Sequence, residues 1–85
     1  MAFYLYIIYS DKNDKYYIGY TGNLETRIEK HNLGATRSTR SGIPWKQVYY
    51  EEFDTKSEAI KRELEIKKKK SRKYIEELIG KKEME

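Results

Sequence analysis

Apolar and polar positions alternate along the chain in a pattern that predicts strands first and helices later. Residues 3–9 form an unbroken run of aromatic and branched apolar side chains, which is typical of a central strand covered on both faces. The turn-forming cluster at residues 11–14 follows, and strand-like residues resume at 16–21. Two strands separated by so short a turn predict a β-hairpin.

The length of this turn predicts the register of the hairpin. Pairing Ser10 with Lys15 across four residues puts Tyr6 opposite Gly19, and it places Tyr6 and Tyr17 on the same face of the sheet. Gly19 has no side chain, so we expect room there for a substrate to approach the phenol of Tyr6.

A first helix is expected after the hairpin. Asn23 is a suitable N-cap, and Gly34 is a suitable residue to end the helix. Arg27 and His31 lie four residues apart on this helix, so we expect them to project along one edge of its packed face. They either share a functional site or play structural roles, Arg27 by extending to solvent and His31 as a buried histidine. Residues 34–44 are predicted to form an exposed loop.

The rest of the chain predicts one more strand and two more helices. Residues 45–53 are strand-like, Thr55 begins a capping box for a helix that reaches about residue 70, and Ser71 is placed to cap a last helix through residue 79. The order predicts an α+β fold, a small three-stranded, mostly antiparallel sheet flanked by three helices. We expect one domain over residues 1–80 and a frayed tail over residues 81–85.

One charged residue interrupts the apolar stripe of the second helix. At 100° per residue, Glu63 falls in the middle of the arc that Ala59, Ile60 and Ile66 define. A carboxylate there needs a cationic partner, because an unpaired buried charge is costly. Either Lys67 supplies it one turn later, or Glu63 is a metal ligand at the rim of a cleft.

Composition and charge exclude several kinds of functional site and indicate the kind of partner. The chain has no cysteine, which excludes disulfides, thiolate nucleophiles and cysteine-bound zinc. It lacks an apolar run long enough to span a membrane and the pattern of a signal peptide, so we expect a cytoplasmic protein with no membrane partner. Residues 56–85 hold eleven Lys and Arg against seven Asp and Glu, while the preceding residues balance at seven each. This basic end favours a polyanionic partner such as nucleic acid, although a net charge of +4 also serves solubility.

Several of these residues together resemble the GIY-YIG nuclease superfamily. The resemblance rests on two short strand motifs, the segments 4–6 and 17–19, separated by ten residues, and on side chains that follow them in order. Those side chains are Thr21, Gly22, Arg27, His31, Ala59, Glu63, Ile66 and Lys67. The chain looks most like small stand-alone bacterial GIY-YIG proteins similar to the N-terminal domain of the excinuclease C subunit.

The resemblance implies Mg²⁺- or Mn²⁺-dependent hydrolysis of a DNA phosphodiester by water. It implies that Glu63 holds the metal, that Tyr6 contacts or deprotonates the water, and that Tyr17 orients water or phosphate. Arg27 would clamp the scissile phosphate, and His31 would assist proton transfer or bind phosphate. Mg²⁺ needs only one or two carboxylates because it keeps several waters, and an Arg fork matches phosphate geometry.

The sequence therefore predicts a structure-selective or weakly sequence-specific DNA endonuclease, with a role in repair or recombination. A protein partner is a candidate source of specificity. Two alternatives stay open: a non-catalytic nucleic-acid-binding module, and an interaction domain of a larger repair or restriction complex. The residues predicted to contact nucleic acid are Gly19, Arg37, Arg40, Lys67, Lys68, Lys69, Lys70, Arg72 and Lys73.

Overall fold

The computed structural model describes residues 2–84, with side chains through residue 81. Its elements occur in the predicted order: β1 (Phe3–Ser10), β2 (Lys15–Thr21), α1 (Leu24–Asn32), a 3₁₀ helix η1 (Arg37–Gly42), β3 (Trp45–Phe53), α2 (Lys56–Lys69) and α3 (Arg72–Met84). The predicted α+β class is confirmed.

The sheet has the order β2-β1-β3, with both pairs of neighbours antiparallel. The predicted hairpin register is confirmed, since Tyr6 pairs with Gly19 and Ser10 pairs with Lys15. A bulge between Ile7 and Ile8 shifts the pairing with β3 by one residue.

The central strand is covered on both faces, as its apolar run predicted. Alternation along β1 directs Leu5 and Ile7 towards one core, where Ile66 of α2 and residues of α3 pack. Tyr6 and Ile8 point to the opposite core, against α1. All four β1 residues have 0% exposed surface. Functional side chains can therefore reach β1 from α1 on one face and around the edge of β2 from α2.

Side-chain caps begin each of the three α-helices. The Asn23 carboxamide accepts the backbone N–H of Thr26, and the hydroxyl groups of Thr55 and Ser71 accept the N–H groups of Glu58 and Tyr74. Gly34 follows α1 with a φ of +80°, a conformation that glycine adopts without strain. These local signals explain why the predicted helix starts agree with the structure.

Two segments differ from the prediction. Residues 34–44 are not simply an exposed loop, because η1 forms within them and buries Thr39 and Gly42. Helix α3 continues to Met84 instead of ending at residue 79. The last residue of the predicted frayed tail, residue 85, lies outside the described residues, and the fraying of residues 81–85 stays a prediction. Over residues 2–84, no helix is both long enough and apolar enough to cross a membrane.

Candidate active site

A cleft of about 360 Å³ opens beside β2 and collects side chains from both faces of the sheet. Four of the five predicted catalytic residues line it. Its lining consists of Tyr6, Tyr17, Gly19, Tyr20, Thr21, Arg27 and Glu63. Larger cavities of about 540 and 560 Å³ lie along β3 and α3 and between α2 and α3. Volume alone favours those cavities, but the smaller cleft brings together a guanidinium, a carboxylate and phenols, groups that can bind a phosphate or a metal ion.

The Tyr6 hydroxyl lies at the inner end of the cleft. The side chain is fully buried, and its ring lies over the Cα atom of Gly19, where a Cβ atom would come within 2.6 Å of the Tyr6 oxygen. The space that Gly19 leaves open is thus filled by the phenol itself, so the expected room for substrate between the two residues is absent. Burial raises the pKa of Tyr6, and the hydrogen bond from Arg27 opposes this effect only in part.

His31 lies behind Tyr6, away from the cleft opening. Its Nε2 atom is 2.8 Å from the Tyr6 hydroxyl, and its Nδ1 atom is 2.8 Å from the hydroxyl of Thr39. The ring is fully buried, and burial together with the charge of Arg27 lowers the pKa of His31. The imidazole is therefore neutral at pH 7 and free to accept a proton.

Arg27 reaches the Tyr6 hydroxyl from α1, as its spacing from His31 predicted. Its Nε–H donates to that hydroxyl over 3.4 Å. Among the side chains described, residues 2–81, the terminal amino groups of Arg27 have no carboxylate partner, whereas Arg62 and Arg72 are each bound to an acidic side chain. A guanidinium held by Nε with its fork free in a cleft is suited to bind an anion.

Tyr17 is the more accessible phenol of the cleft. Its half-buried ring meets His31 edge to face, with ring centroids 5.1 Å apart, and approaches Trp45 at 6.4 Å. These aromatic contacts hold the ring in the wall of the cleft, which Tyr17 lines. Tyr6 and Tyr17 share a face of the sheet, as the register predicted.

Glu63 enters the cleft from α2 and is paired with Lys67, the first of the two roles expected for it, while its role as a metal ligand stays a prediction. Its side chain is 14% exposed, and one carboxylate oxygen is 3.7 Å from the Lys67 ammonium. Glu63 lines the same cleft as Arg27. The side chains described contain no group of three or more His, Asp or Glu residues able to enclose a metal ion. A single carboxylate beside an anion-binding Arg fits Mg²⁺ or Mn²⁺, which keeps several waters and takes phosphate as a ligand.

The predicted nucleic-acid contacts are exposed except for Gly19, which the Tyr6 ring covers, and Arg72 is committed to contacts within the protein. Lys67, Lys68, Lys69, Lys70 and Lys73 are exposed around the junction of α2 and α3, and Arg37 and Arg40 are exposed on η1.

Arg72 is the committed residue. Its two terminal amino groups bind the carboxylate and the backbone oxygen of Asp14 at 2.6 and 2.9 Å, and its guanidinium lies over the ring of Tyr16. It ties α3 to the β1–β2 turn, and this anchoring competes with any role in binding nucleic acid.

Sequence reasoning gave no role in the site to three of its residues, although Thr21 is among those that carry the family resemblance. Thr21 could have been found, because the two-residue period of β2 puts it on the face that carries Tyr17 and Gly19. Tyr20 points to the other face and lines the cleft only because the cleft wraps around the edge strand. Thr39 had no local signal, since it contacts His31 from a segment without apolar periodicity.

Comparison with known proteins identifies the family of this chain. The model of the GIY-YIG catalytic domain family matches residues 2–75, a span that contains both tyrosines, Arg27, His31 and Glu63. The chain belongs to the GIY-YIG family. As a GIY-YIG protein it is placed among nucleases, a class that typically uses divalent metal ions.

The relatives of this GIY-YIG chain include proteins named UPF0213 from several organisms. The UPF0213 protein SSP2268 of Staphylococcus saprophyticus is 49% identical over 65 residues, which are 75% of this chain and 78% of that protein. The UPF0213 protein HQ_3675A of Haloquadratum walsbyi is 42% identical, over 75% of this chain and 72% of that protein. The solution NMR structure of the UPF0213 protein BH0048 from Bacillus halodurans matches with a TM-score of 0.58 and 34% identity, covering 94% of this chain and 84% of that one. The resemblance seen in the sequence is confirmed.

Proposed function

We propose that this protein is a metal-dependent endonuclease that hydrolyses phosphodiester bonds of DNA in the cleft beside β2. The observation that carries the proposal is the Arg27 fork, which lacks a carboxylate partner among the described side chains and lines the same cleft as Glu63. A half-buried Arg in a cleft whose terminal amino groups have no counter-ion is suited to bind an anion, and a phosphodiester supplies the matching geometry.

The side chains divide the work. Arg27 clamps two phosphate oxygens with its terminal amino groups while its Nε atom stays on Tyr6. Tyr17, the accessible phenol, orients the water and the phosphate. Glu63 is the residue that would hold Mg²⁺ or Mn²⁺, which supplies positive charge against the developing negative charge and makes the attacking water more acidic. Lys67 would leave Glu63 for a phosphate when the metal binds.

Tyr6 and His31 handle the proton of the attacking water. The raised pKa of Tyr6 makes a free phenolate scarce at neutral pH, so Tyr6 acts together with the neutral imidazole 2.8 Å away. As the water oxygen bonds to phosphorus, the water proton passes to the Tyr6 oxygen and the Tyr6 proton passes to His31. The phosphorus–oxygen bond of the leaving group breaks, and that oxygen takes a proton from another water. The hydroxide so formed recovers, through Tyr6, the proton that His31 received, which restores the resting state. Because Tyr6 is fully buried in this state, substrate binding must open a path to its hydroxyl beside Arg27.

The exposed lysines around the α2–α3 junction supply affinity. They lie next to Lys67, which connects them to the rim of the cleft at Glu63. Contacts of this kind bind backbone phosphates without reading bases, so we propose structure-selective or weakly specific cutting, as in repair or recombination.

The function is tested by incubating purified protein with plasmid, branched and single-stranded DNA, in Mg²⁺ or Mn²⁺ and in EDTA. We expect metal-dependent cutting that Tyr6→Phe, Arg27→Ala and Glu63→Ala each abolish. Tyr4→Phe, on the same strand, and Glu65→Ala, on the same helix as Glu63, are the matched controls and should cut normally.

Two outcomes would contradict the proposal. DNA that is shifted in a gel but stays uncut with every metal and substrate would favour the non-catalytic binding module. Cutting that survives all three site variants would mean that the activity belongs to another site or to a contaminating nuclease.

A further inference from the structure

A chain of three hydrogen-bonded side chains runs from the cleft into the interior. It joins Tyr6, His31 and Thr39, each with 0% exposed surface, through two contacts of 2.8 Å. The Thr39 hydroxyl is also 3.3 Å from the backbone oxygen of Thr36. Since solvent is excluded from all three side chains, their protons have to be distributed among these partners.

The hydrogen bonds favour one distribution of protons. If Nδ1 of His31 carries the ring proton, it donates to Thr39, and the Thr39 hydroxyl donates to Thr36. Nε2 then has a free lone pair for the Tyr6 hydroxyl, whose oxygen also accepts from Arg27. Every donor among these three side chains then has an acceptor.

The opposite tautomer leaves a buried donor without a partner. With the proton on Nε2, both His31 and Arg27 donate to the Tyr6 oxygen, so the Tyr6 hydroxyl proton needs another acceptor. Among the residues described, the structure gives Tyr6 no such acceptor. An unsatisfied buried hydroxyl is costly, and the first distribution avoids it.

Thr39 is held in place by contacts that do not involve His31. Its backbone oxygen accepts the indole N–H of Trp45 over 2.6 Å. The Asn32 side chain in turn binds both the N–H and the carbonyl oxygen of Trp45, at 2.6 and 2.9 Å. Gly42 packs so closely on the indole that a Cβ atom would lie 2.5 Å from it. The 3₁₀ helix is thereby fixed against the sheet with its threonine aimed at His31.

We propose that Thr39 is a positioning residue that keeps His31 in the Nδ1-protonated tautomer, so that Nε2 can accept the proton of Tyr6. This inference rests on the proposed nuclease function for its catalytic consequence, but the tautomer itself is a property of the resting protein. The titratable and charged groups that face His31 are Tyr6 from β1, Tyr17 from β2 and Arg27 from its own helix. None of them accepts a hydrogen bond from Nδ1, which leaves that task to Thr39.

The tautomer can be read directly because His31 is the only histidine in the chain. We would label the protein with ¹⁵N and record long-range ¹H–¹⁵N spectra at neutral pH, where the protonated and unprotonated ring nitrogens resonate far apart. We expect the wild type and Thr39→Ser to carry the proton on Nδ1. Thr39→Val, which cannot accept a hydrogen bond, should move the proton towards Nε2. Ser38→Ala, an exposed neighbour on the same 3₁₀ helix, is the control and should leave the spectrum unchanged.

Cleavage at saturating DNA supplies the second readout. Thr39→Val should lower the rate by at least about tenfold, within the range typical of acid–base catalysis, while Thr39→Ser retains it. A wild-type spectrum with the proton on Nε2 would overturn the proposal even if Thr39→Val failed to fold, and so would full activity in a folded Thr39→Val. A proton on Nδ1 in a wild type that never cuts DNA would support the positioning role and overturn the nuclease function.

Discussion

Gly19→Ala is predicted to displace Tyr6 and thereby damage both stability and the site. A Cβ atom at residue 19 would lie 2.6 Å from the Tyr6 oxygen and 2.7 Å from its Cζ atom, whereas 3.4 Å marks ordinary contact. Relief requires the ring to move by about 0.8 Å, the difference between these distances. Such a shift can carry the 2.8 Å bond to His31 beyond hydrogen-bonding range.

Three contributions set the size of the effect. Overpacking a core costs about 1–3 kcal/mol, and a buried imidazole nitrogen left without its donor costs a further 1–3 kcal/mol or so. Replacing glycine by alanine in a strand returns roughly 0.5–1 kcal/mol. The free energy of unfolding should therefore fall by about 3 kcal/mol, a large share of the 5–15 kcal/mol typical of a domain.

Urea denaturation measures this change, and the chain offers a matched control. At Gly22, just after β2, a Cβ atom would come no closer than 3.6 Å to Phe3. Gly22→Ala should change the free energy of unfolding by no more than about 0.5 kcal/mol. If Gly19→Ala proved as stable as Gly22→Ala, the close packing of the Tyr6 phenol over residue 19 would be wrong, and with it the reason for glycine there.

Three further predictions concern the protonation of His31, the ion pair between Arg62 of α2 and Glu51, and the exposed lysines around the α2–α3 junction. Because the fold lowers the pKa of His31 below its usual 6.5, the unfolded chain binds more protons than the folded one. Stability should therefore be complete above pH 6.5 and fall as the pH drops below it. Urea midpoints measured across this range should fall with pH in the wild type and not in His31→Gln. Arg62→Met removes the two hydrogen bonds from Arg62 to Glu51, at 2.9 and 3.1 Å, and should lower the free energy of unfolding by about 2 kcal/mol or more. Lys61→Met, at an exposed position, is the control, and a comparable loss there would contradict the importance of this ion pair. Lys68→Ala should weaken DNA binding and lower the slope of log affinity against log salt concentration by about one, without changing the urea midpoint. Arg72→Met should lower the urea midpoint with little effect on that slope. The reverse pattern in salt-titrated gel shifts and urea denaturation would exchange the roles of the two residues.

The elements and the register were predictable because their signals are local. A four-residue turn sets the pairing of Tyr6 with Gly19, and short-range caps such as Asn23 and Thr55 mark where helices begin. Glu63 could be singled out because a charge in an apolar stripe conflicts with packing. These features depend on neighbours within a few residues, which sequence displays directly.

The unpredicted features depend on distant contacts between polar groups. Thr39 is buried because Trp45 and His31 bond to it, and no apolar period marks a 3₁₀ helix whose buried members are a threonine and a glycine. The commitment of Arg72 to Asp14 joins residues 58 positions apart. The burial of the Tyr6 hydroxyl behind Arg27 likewise depends on how α1 packs on the sheet. The sequence shows which polar groups are present, but only the folded structure shows which distant partners they bind.

The rate of DNA cleavage by Arg27→Ala at saturating DNA, with Mg²⁺ present, tests the central claim most directly. Saturation removes differences in affinity, and Lys30→Ala on the same helix controls for the loss of a positive charge. We predict a fall of at least about a hundredfold for Arg27→Ala, the scale of losing a preorganised donor to a developing charge, and a normal rate for Lys30→Ala. A folded Arg27→Ala protein that cuts at the wild-type rate would show that the cleft beside β2 does not carry out the reaction.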